Sequence, residues 1–165
     1  MDSTCVQCGK PLVVASTGRP KRFCGQTCRK RASRLPKFPA VMRDRVAWVR
    51  ASGKRPIQPD GRPASSTNSD TWSSFVDVQS GAGDGFGIML GNGLGCYDLD
   101  DKSDVFVRSF VESVPERIVF VERSMSGKGV HVFVEAPEAR GWKRDGVERY
   151  TRSRFIRTTG DLIVL

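Results

Sequence analysis

Histidine is almost missing from this chain of 165 residues: His131 is the only one. A metal site in the first third of the sequence would therefore have to be built from cysteine, because no imidazole lies nearby. Long apolar runs are absent too. No stretch approaches the roughly 20 residues that a membrane-spanning helix needs. The opening Met1-Asp2-Ser3-Thr4-Cys5 lacks the basic start and apolar core of a signal peptide. The expectation is a soluble cytoplasmic protein with no membrane partner. Internal repeats and long low-complexity segments are also lacking, which excludes a solenoid. Acidic residues are scarce at one end: residues 1–50 hold twelve Lys/Arg against Asp2 and Asp44, a balance of +10. The other 115 residues hold fifteen against sixteen, a balance of −1. A basic segment joined to a neutral one suggests a polyanion partner, most simply nucleic acid; a solvated basic tail is the plainer alternative.

Cysteines accompany that basic segment. Cys5-Val6-Gln7-Cys8 is followed by Gly9, and Cys24-Gly25-Gln26-Thr27-Cys28 by Arg29-Lys30-Arg31-Ala32-Ser33-Arg34. Paired thiolates at short spacing can close a tetrahedral site for a structural Zn²⁺. Disulfides are disfavoured if the chain stays inside the cell, and four unrelated thiols remain a third reading. The run Arg29, Lys30, Arg31 and Arg34 reads as a short basic helix suited to nucleic acid, ended by Pro36 and Pro39. Residues 1–36 thus form a small cysteine-rich module, and residues 40–165 form a second domain.

The second domain should open with a helix from Arg43 to Arg50, followed by a turn-rich loop over 54–63 and a short helix starting at Ser69. Trp48, Trp72 and Phe75 are candidate core anchors, and Cys96 a buried strand residue. Phe86–Leu90 and Leu94–Leu99 read as a hairpin around Gly91-Asn92-Gly93. Asp104–Val114 has helical spacing. Ile118–Glu122 and Val130–Glu135 are strands joined by a Ser-Gly-Lys-Gly turn, and Val147–Tyr150 with Arg154–Thr158 a further pair. One helix among several antiparallel strands predicts an α+β fold with a split sheet.

Asp98 and Asp100 flank Leu99, so on a strand both carboxylates face one side. Burying both charges calls for a cation, and oxygen donors favour Mg²⁺ or Mn²⁺. Ser124-Met125-Ser126-Gly127-Lys128-Gly129-Val130-His131 offers hydroxyls, a Lys and a His at one bend, as an anion site would. It is neither a Walker A loop nor a dinucleotide fingerprint. Glu148 and Tyr150 share a strand face, and Arg154 adds a cation after them. Each piece alone has a plainer reading: a surface Asp-x-Asp, an ordinary hairpin turn, a core histidine, a surface glutamate.

Together, in this order, these segments resemble the archaeo-eukaryotic-type primase-polymerases of phages and plasmids, the bifunctional DNA primase/polymerase N-terminal domain. That family has an Asp-x-Asp/Glu motif, a Ser-Gly-x-Gly-x-His-like motif and a later acidic residue, matched here by Asp98 and Asp100, Ser126 and His131, and Glu148. Arg62–Thr67, Thr71–Phe75, Tyr150, Arg154–Ile156 and Thr159-Gly160 add to the likeness, which covers about residues 43–160. The resemblance implies an RRM-like split antiparallel sheet of the primase-polymerase type. It implies template-directed nucleotidyl transfer in phage or mobile-element DNA replication, with two divalent ions held by Asp98, Asp100 and Glu148. Ser124, Ser126, Lys128, His131 and Arg154 would bind the incoming dNTP or rNTP. The partners implied are a single-stranded DNA template and a separately encoded replicative helicase, in the host cytoplasm if the gene belongs to a phage. Two alternatives stand beside it: a zinc-dependent nucleic-acid-binding protein, regulatory or accessory, whose primase-like domain is catalytically silent; and a metal-dependent nuclease, which explains the cationic turn less well.

Overall fold

The structure, a computed structural model, describes residues 4, 5, 8–13, 20–34 and 36–164, without the side chains of Arg31 and Arg34. The chain divides into two compact units, Met1–Pro36 and Lys37–Leu165. Among the described residues no helix is long and apolar enough to cross a membrane.

The first unit holds a tight knuckle and one helix, α1 (Gln26–Arg34). In the knuckle the amides of Cys8 and Gly9 both donate to the Cys5 carbonyl, at 3.3 and 2.8 Å, and Gly9 supplies the left-handed φ of +69° that closes the turn.

The second unit is mixed α+β and dominated by strands. It begins with α2 (Ala40–Arg43) and continues with β1 (Trp48–Ser52), β2 (Arg55–Ile57), β3 (Gly85–Met89) and β4 (Leu94–Leu99). After α3 (Asp104–Ser113) come β5 (Arg117–Arg123), β6 (Val130–Glu135), β7 (Trp142–Arg144), β8 (Val147–Tyr150) and β9 (Phe155–Thr158). All pairings are antiparallel, in a four-stranded sheet β2-β1-β3-β9 and a five-stranded sheet β5-β6-β4-β8-β7.

Two cores follow from strand alternation. One face of the five-stranded sheet, with Leu94, Cys96, Phe120 and Phe133, joins Trp48, Ile88 and Ile156 of the four-stranded sheet. The opposite face, with Leu99, Val121, Val130, Val132, Val134 and Val147, is covered by Val107, Phe110 and Val111 of α3. The Ser103 hydroxyl caps α3 by accepting from the Phe106 amide at 3.2 Å. The expected helix over 104–114 is thus present.

Several expectations are corrected. Arg43–Arg50 is not a helix: α2 ends at Arg43, and Trp48 enters a buried strand whose indole donates to the Met42 carbonyl at 2.9 Å. The burial of Trp48 and Val49 between packed layers outweighs helix propensity. The helix expected at Ser69 is a single 3-10 turn, capped by Asn68. The strands β3 and β4 exist but do not form a hairpin; the segment around Gly91 carries the chain from one sheet to the other. Likewise β8 pairs with β4 and β7, while β9 pairs with β3. Part of the loop expected over 54–63 is β2, and β7 had no counterpart among the expected strands. Trp48 and Phe75 are core anchors as expected, Trp72 is half-buried, and Cys96 is a buried strand residue.

Candidate functional site

Register aligns five polar side chains in one row across the five-stranded sheet. Glu122 on β5 is opposite His131 on β6, His131 opposite Asp98 on β4, Asp98 opposite Glu148 on β8, and Glu148 opposite Lys143 on β7. The adjacent row on the same face is apolar: Phe120, Phe133, Cys96 and Tyr150 occupy corresponding positions. The polar row thus begins where the core between the two sheets ends.

Glu122 is wholly buried. One carboxylate oxygen accepts from the Thr158 hydroxyl at 2.6 Å and from the amides of Thr159 and Gly160 at 3.1 and 2.8 Å. The other lies 2.9 Å from His131 Nδ1. As a carboxylate Glu122 can only accept, so Nδ1 carries the shared proton and Nε2 faces Asp98 Oδ1 at 3.7 Å. One glutamate therefore ties the histidine of β6 to the segment that follows β9.

Asp98 is largely buried, and burial first of all raises its carboxyl pKa. His131 opposes that rise, whereas the neighbouring charges of Asp100 and Glu148 add to it. Asp100 is exposed just past the end of β4, its amide donating to the Gly146 carbonyl at 3.1 Å. Glu148 is surrounded by donors. Lys143 bonds one oxygen; the Tyr150 hydroxyl donates to the other at 2.6 Å, and Arg154 stands 3.8 Å from it. The Lys143 bond, then the Tyr150 bond, holds the Glu148 carboxyl below its ordinary value. Arg154 also stacks over the Tyr150 ring, 4.3 Å from its centroid.

The turn between β5 and β6 lies at the same end of the sheet. A Cβ on Gly129 would come within 2.8 Å of Ser124 Oγ and 3.2 Å of the Leu99 carbonyl, so the turn closes directly against the end of β4. Its serines are spent on the turn itself. Ser124 Oγ accepts from the Gly129 amide at 3.1 Å, and Ser126 Oγ from the Lys128 amide at 3.3 Å. Lys128 is exposed beside them.

The structure thus brings His131, Asp98, Glu148 and Arg154 together, with Asp100 beside them and Ser124, Ser126 and Lys128 at the adjoining turn. It adds Glu122 and Lys143, and Tyr150, expected on the face of Glu148, donates to that carboxylate. The signal for Glu122 was present in the hairpin: a Ser124-to-Gly129 turn puts Glu122 opposite His131 by register alone. Lys143 had no comparable signal, because its strand is three residues long and fully exposed.

The first unit carries a separate candidate metal centre. The ligating atoms of Cys5, Cys8, Cys24 and Cys28 all lie within 4.8 Å of one another, and none of these cysteines is in a disulfide. Cys8 and Cys24 sulfurs are 3.6 Å apart, and those of Cys24 and Cys28 3.5 Å. Four thiolates around one Zn²⁺ at about 2.3 Å would have neighbouring sulfurs at about that separation. The Cys28 thiol is pushed up to about 12, chiefly by the Cys24 thiol and then by Cys8. Such crowding resists ionisation until a cation balances it. The four cysteines are compatible with structural zinc. Among the described residues they are the only set of three or more His, Cys, Asp or Glu drawn together in this way; Asp98, Asp100 and Glu148 are not so closely gathered. Arg29 and Lys30 are exposed on α1, whereas the side chains of Arg31 and Arg34 lie outside the described residues.

Comparison of the chain with protein-family models and with curated proteins gives no match.

Proposed function

We propose that the second unit is a DNA primase/polymerase domain that joins nucleotides on a single-stranded template. The observation that carries this reading is the in-register row of His131, Asp98 and Glu148 beside the Ser124–Gly129 turn. Hard oxygen donors, a histidine and a cationic bend at one sheet end suit a nucleoside triphosphate better than they suit a peptide or an apolar ligand.

The residue types suit a divalent ion, although Asp98, Asp100 and Glu148 are not drawn within reach of a single ion here and would have to close around it. Burial first, and the charges of Asp100 and Glu148 after it, raise the Asp98 carboxyl, and a cation held by these oxygen donors would offset that cost. Glu148 is the third carboxylate, engaged at present by Lys143, Tyr150 and Arg154. Mg²⁺ or Mn²⁺ held there would supply charge neutralisation and activation of an attacking hydroxyl. The chain's own contribution is positioning. Glu122 fixes the ring of His131 so that Nε2 points along the row towards Asp98. Lys128, exposed on the Ser124–Gly129 turn, and Arg154, exposed beside Glu148, are cations available to phosphate oxygens. No protein nucleophile is required for such a transfer. In this reading the first unit, with zinc held by its four cysteines, grips nucleic acid through Arg29 and Lys30.

The Lys143–Glu148 pair favours one rival: a zinc-dependent nucleic-acid-binding protein whose second unit is catalytically silent, with a lysine occupying the place of a metal. Primer synthesis or extension on single-stranded DNA, with dNTPs or rNTPs and Mg²⁺ or Mn²⁺, separates the two. Metal-dependent incorporation supports the polymerase; binding of the strand without incorporation supports the rival.

A further inference from the structure

We infer that the outer hairpin of the five-stranded sheet, β7 and β8 with the turn into β9, is a docking surface for single-stranded nucleic acid in its own right. It belongs to the second unit, not to the basic cysteine-bearing one. The inference deepens the polymerase reading and rests on it for the bound strand being a template.

Charge is the first observation. Residues 140–154 carry six Lys/Arg against two Asp/Glu, whereas the rest of the second unit, residues 37–139 and 155–165, carries thirteen against fifteen. The positive charge of this unit is therefore gathered on one edge. Arg140, Lys143, Arg144, Arg152 and Arg154 are all exposed there. Among the described residues Arg140 and Arg152 have no carboxylate partner, so their charge is available to an outside anion.

Aromatic rings are the second. Trp142 is 38% exposed on the edge strand, a large indole surface on a segment otherwise made of cations and glycine. It stands on the Tyr97 ring at 6.0 Å between centroids, and Arg144 lies 5.9 Å from its own centroid. Tyr150 carries Arg154 in the same manner. Planar cations beside a half-open ring give a base something to stack on and its phosphate something to pair with. A duplex, whose bases are already stacked, would use only the cations.

Continuity with the site is the third. Lys143 and Arg154 both reach Glu148, so the basic edge meets the carboxylate row on one face of the sheet, while Trp142 and Arg144 stand on the other face of the same edge strand, and a bound strand would cross that edge.

The test is equilibrium binding of a fluorescent oligo-dT to the full chain, without nucleotide or divalent metal, across a salt series. Arg140→Gln/Arg144→Gln/Arg152→Gln removes three exposed charges that do not touch the row. Each single-strand phosphate contact contributes about 0.7 to the salt slope, so the log–log slope should fall by about 2. Affinity at about 0.1 M salt should fall at least tenfold. Lys54→Gln/Arg55→Gln/Arg62→Gln, an equal charge change beside the four-stranded sheet, should leave the slope unchanged. Trp142→Ala should lower affinity at least fivefold with the slope intact, since a lost stacking contact is salt-independent. A triple hairpin variant with wild-type slope and affinity overturns the inference, and so does a Trp142→Ala protein that binds as wild type. Because no nucleotide is joined in this assay, its failure leaves the polymerase reading standing, and failed incorporation leaves the docking surface standing.

Discussion

Removing the Glu122 carboxylate should damage the second unit more than any surface change, by an amount the structure lets one work out. Glu122→Ala leaves four donors without the acceptor that this wholly buried carboxylate supplies: the Thr158 hydroxyl, the part-buried amides of Thr159 and Gly160, and Nδ1 of His131. An unsatisfied buried donor costs about 1–3 kcal/mol. Partial relaxation brings the expected loss to about 4 kcal/mol, and at roughly 4 °C per kcal/mol for a domain of this size the melting temperature should fall by on the order of 15 °C. Glu122→Gln keeps one oxygen for the Thr158–Gly160 segment and alters only the contact to His131, so its loss should be nearer 1 kcal/mol. Urea and thermal unfolding of the two variants read the difference. If Glu122→Ala lies within about 1 kcal/mol of wild type, or if the glutamine variant is as damaged as the alanine one, the buried tie is not holding these elements together.

Asp98→Asn should stabilise the protein at neutral pH. The folded pKa of Asp98 is raised by burial and by its carboxylate neighbours, so its ionised form opposes folding. That penalty is fully present above the raised value, shrinks as pH falls through it, and is gone below the unfolded value of about 3.9. Urea midpoints at pH 7 and pH 3 check it; an asparagine variant with no advantage at pH 7 contradicts it. Glu148 behaves in the opposite sense. Its lowered carboxyl contributes stability above its unfolded value that is lost as pH falls through the folded one. Glu148→Gln should therefore destabilise at pH 7 and converge with wild type in acid. Gly83→Ala should cost about 2 kcal/mol or more, since its φ of +83° and a Cβ only 2.1 Å from the Ala51 carbonyl leave no room for a side chain; thermal unfolding reads it. Metal analysis of freshly purified, reduced protein should give about one zinc per chain, and Cys28→Ser should lower it; zero zinc in the wild type refutes the four-cysteine centre.

Local alternation and turn chemistry made β4, α3, β5, β6 and β8 legible in the sequence. Each has a clear period or a cap, such as Ser103 before α3. Partnering was not legible. The strands β3 and β4 are separated by a glycine-rich turn that looks like a hairpin, yet Gly87 of β3 leaves space for Phe155, whose ring atom would lie 1.9 Å from a Cβ there. That close approach belongs to the β3–β9 pairing and has no trace in a local window. Arg43–Arg50 misled because its apolar residues fit a helix as well as a strand, and only the packing of Trp48 against Phe38 and Phe75 decides between them. At the candidate site the side chains of β4, β6 and β8 could be named from order and alternation. Their cross-strand register could not, nor could Lys143, which matters only because β7 pairs with β8.

Nucleotidyl transfer at the carboxylates of the β4 end is read most directly by nucleotide incorporation on a primed and an unprimed single-stranded DNA template with Mg²⁺ or Mn²⁺, comparing wild type with Asp98→Ala/Asp100→Ala. Metal-dependent incorporation is expected of the wild type, and its loss, by at least about a hundredfold, in a variant that still folds and still binds the strand. Equal behaviour of the two proteins, whether both incorporate or neither does, contradicts it.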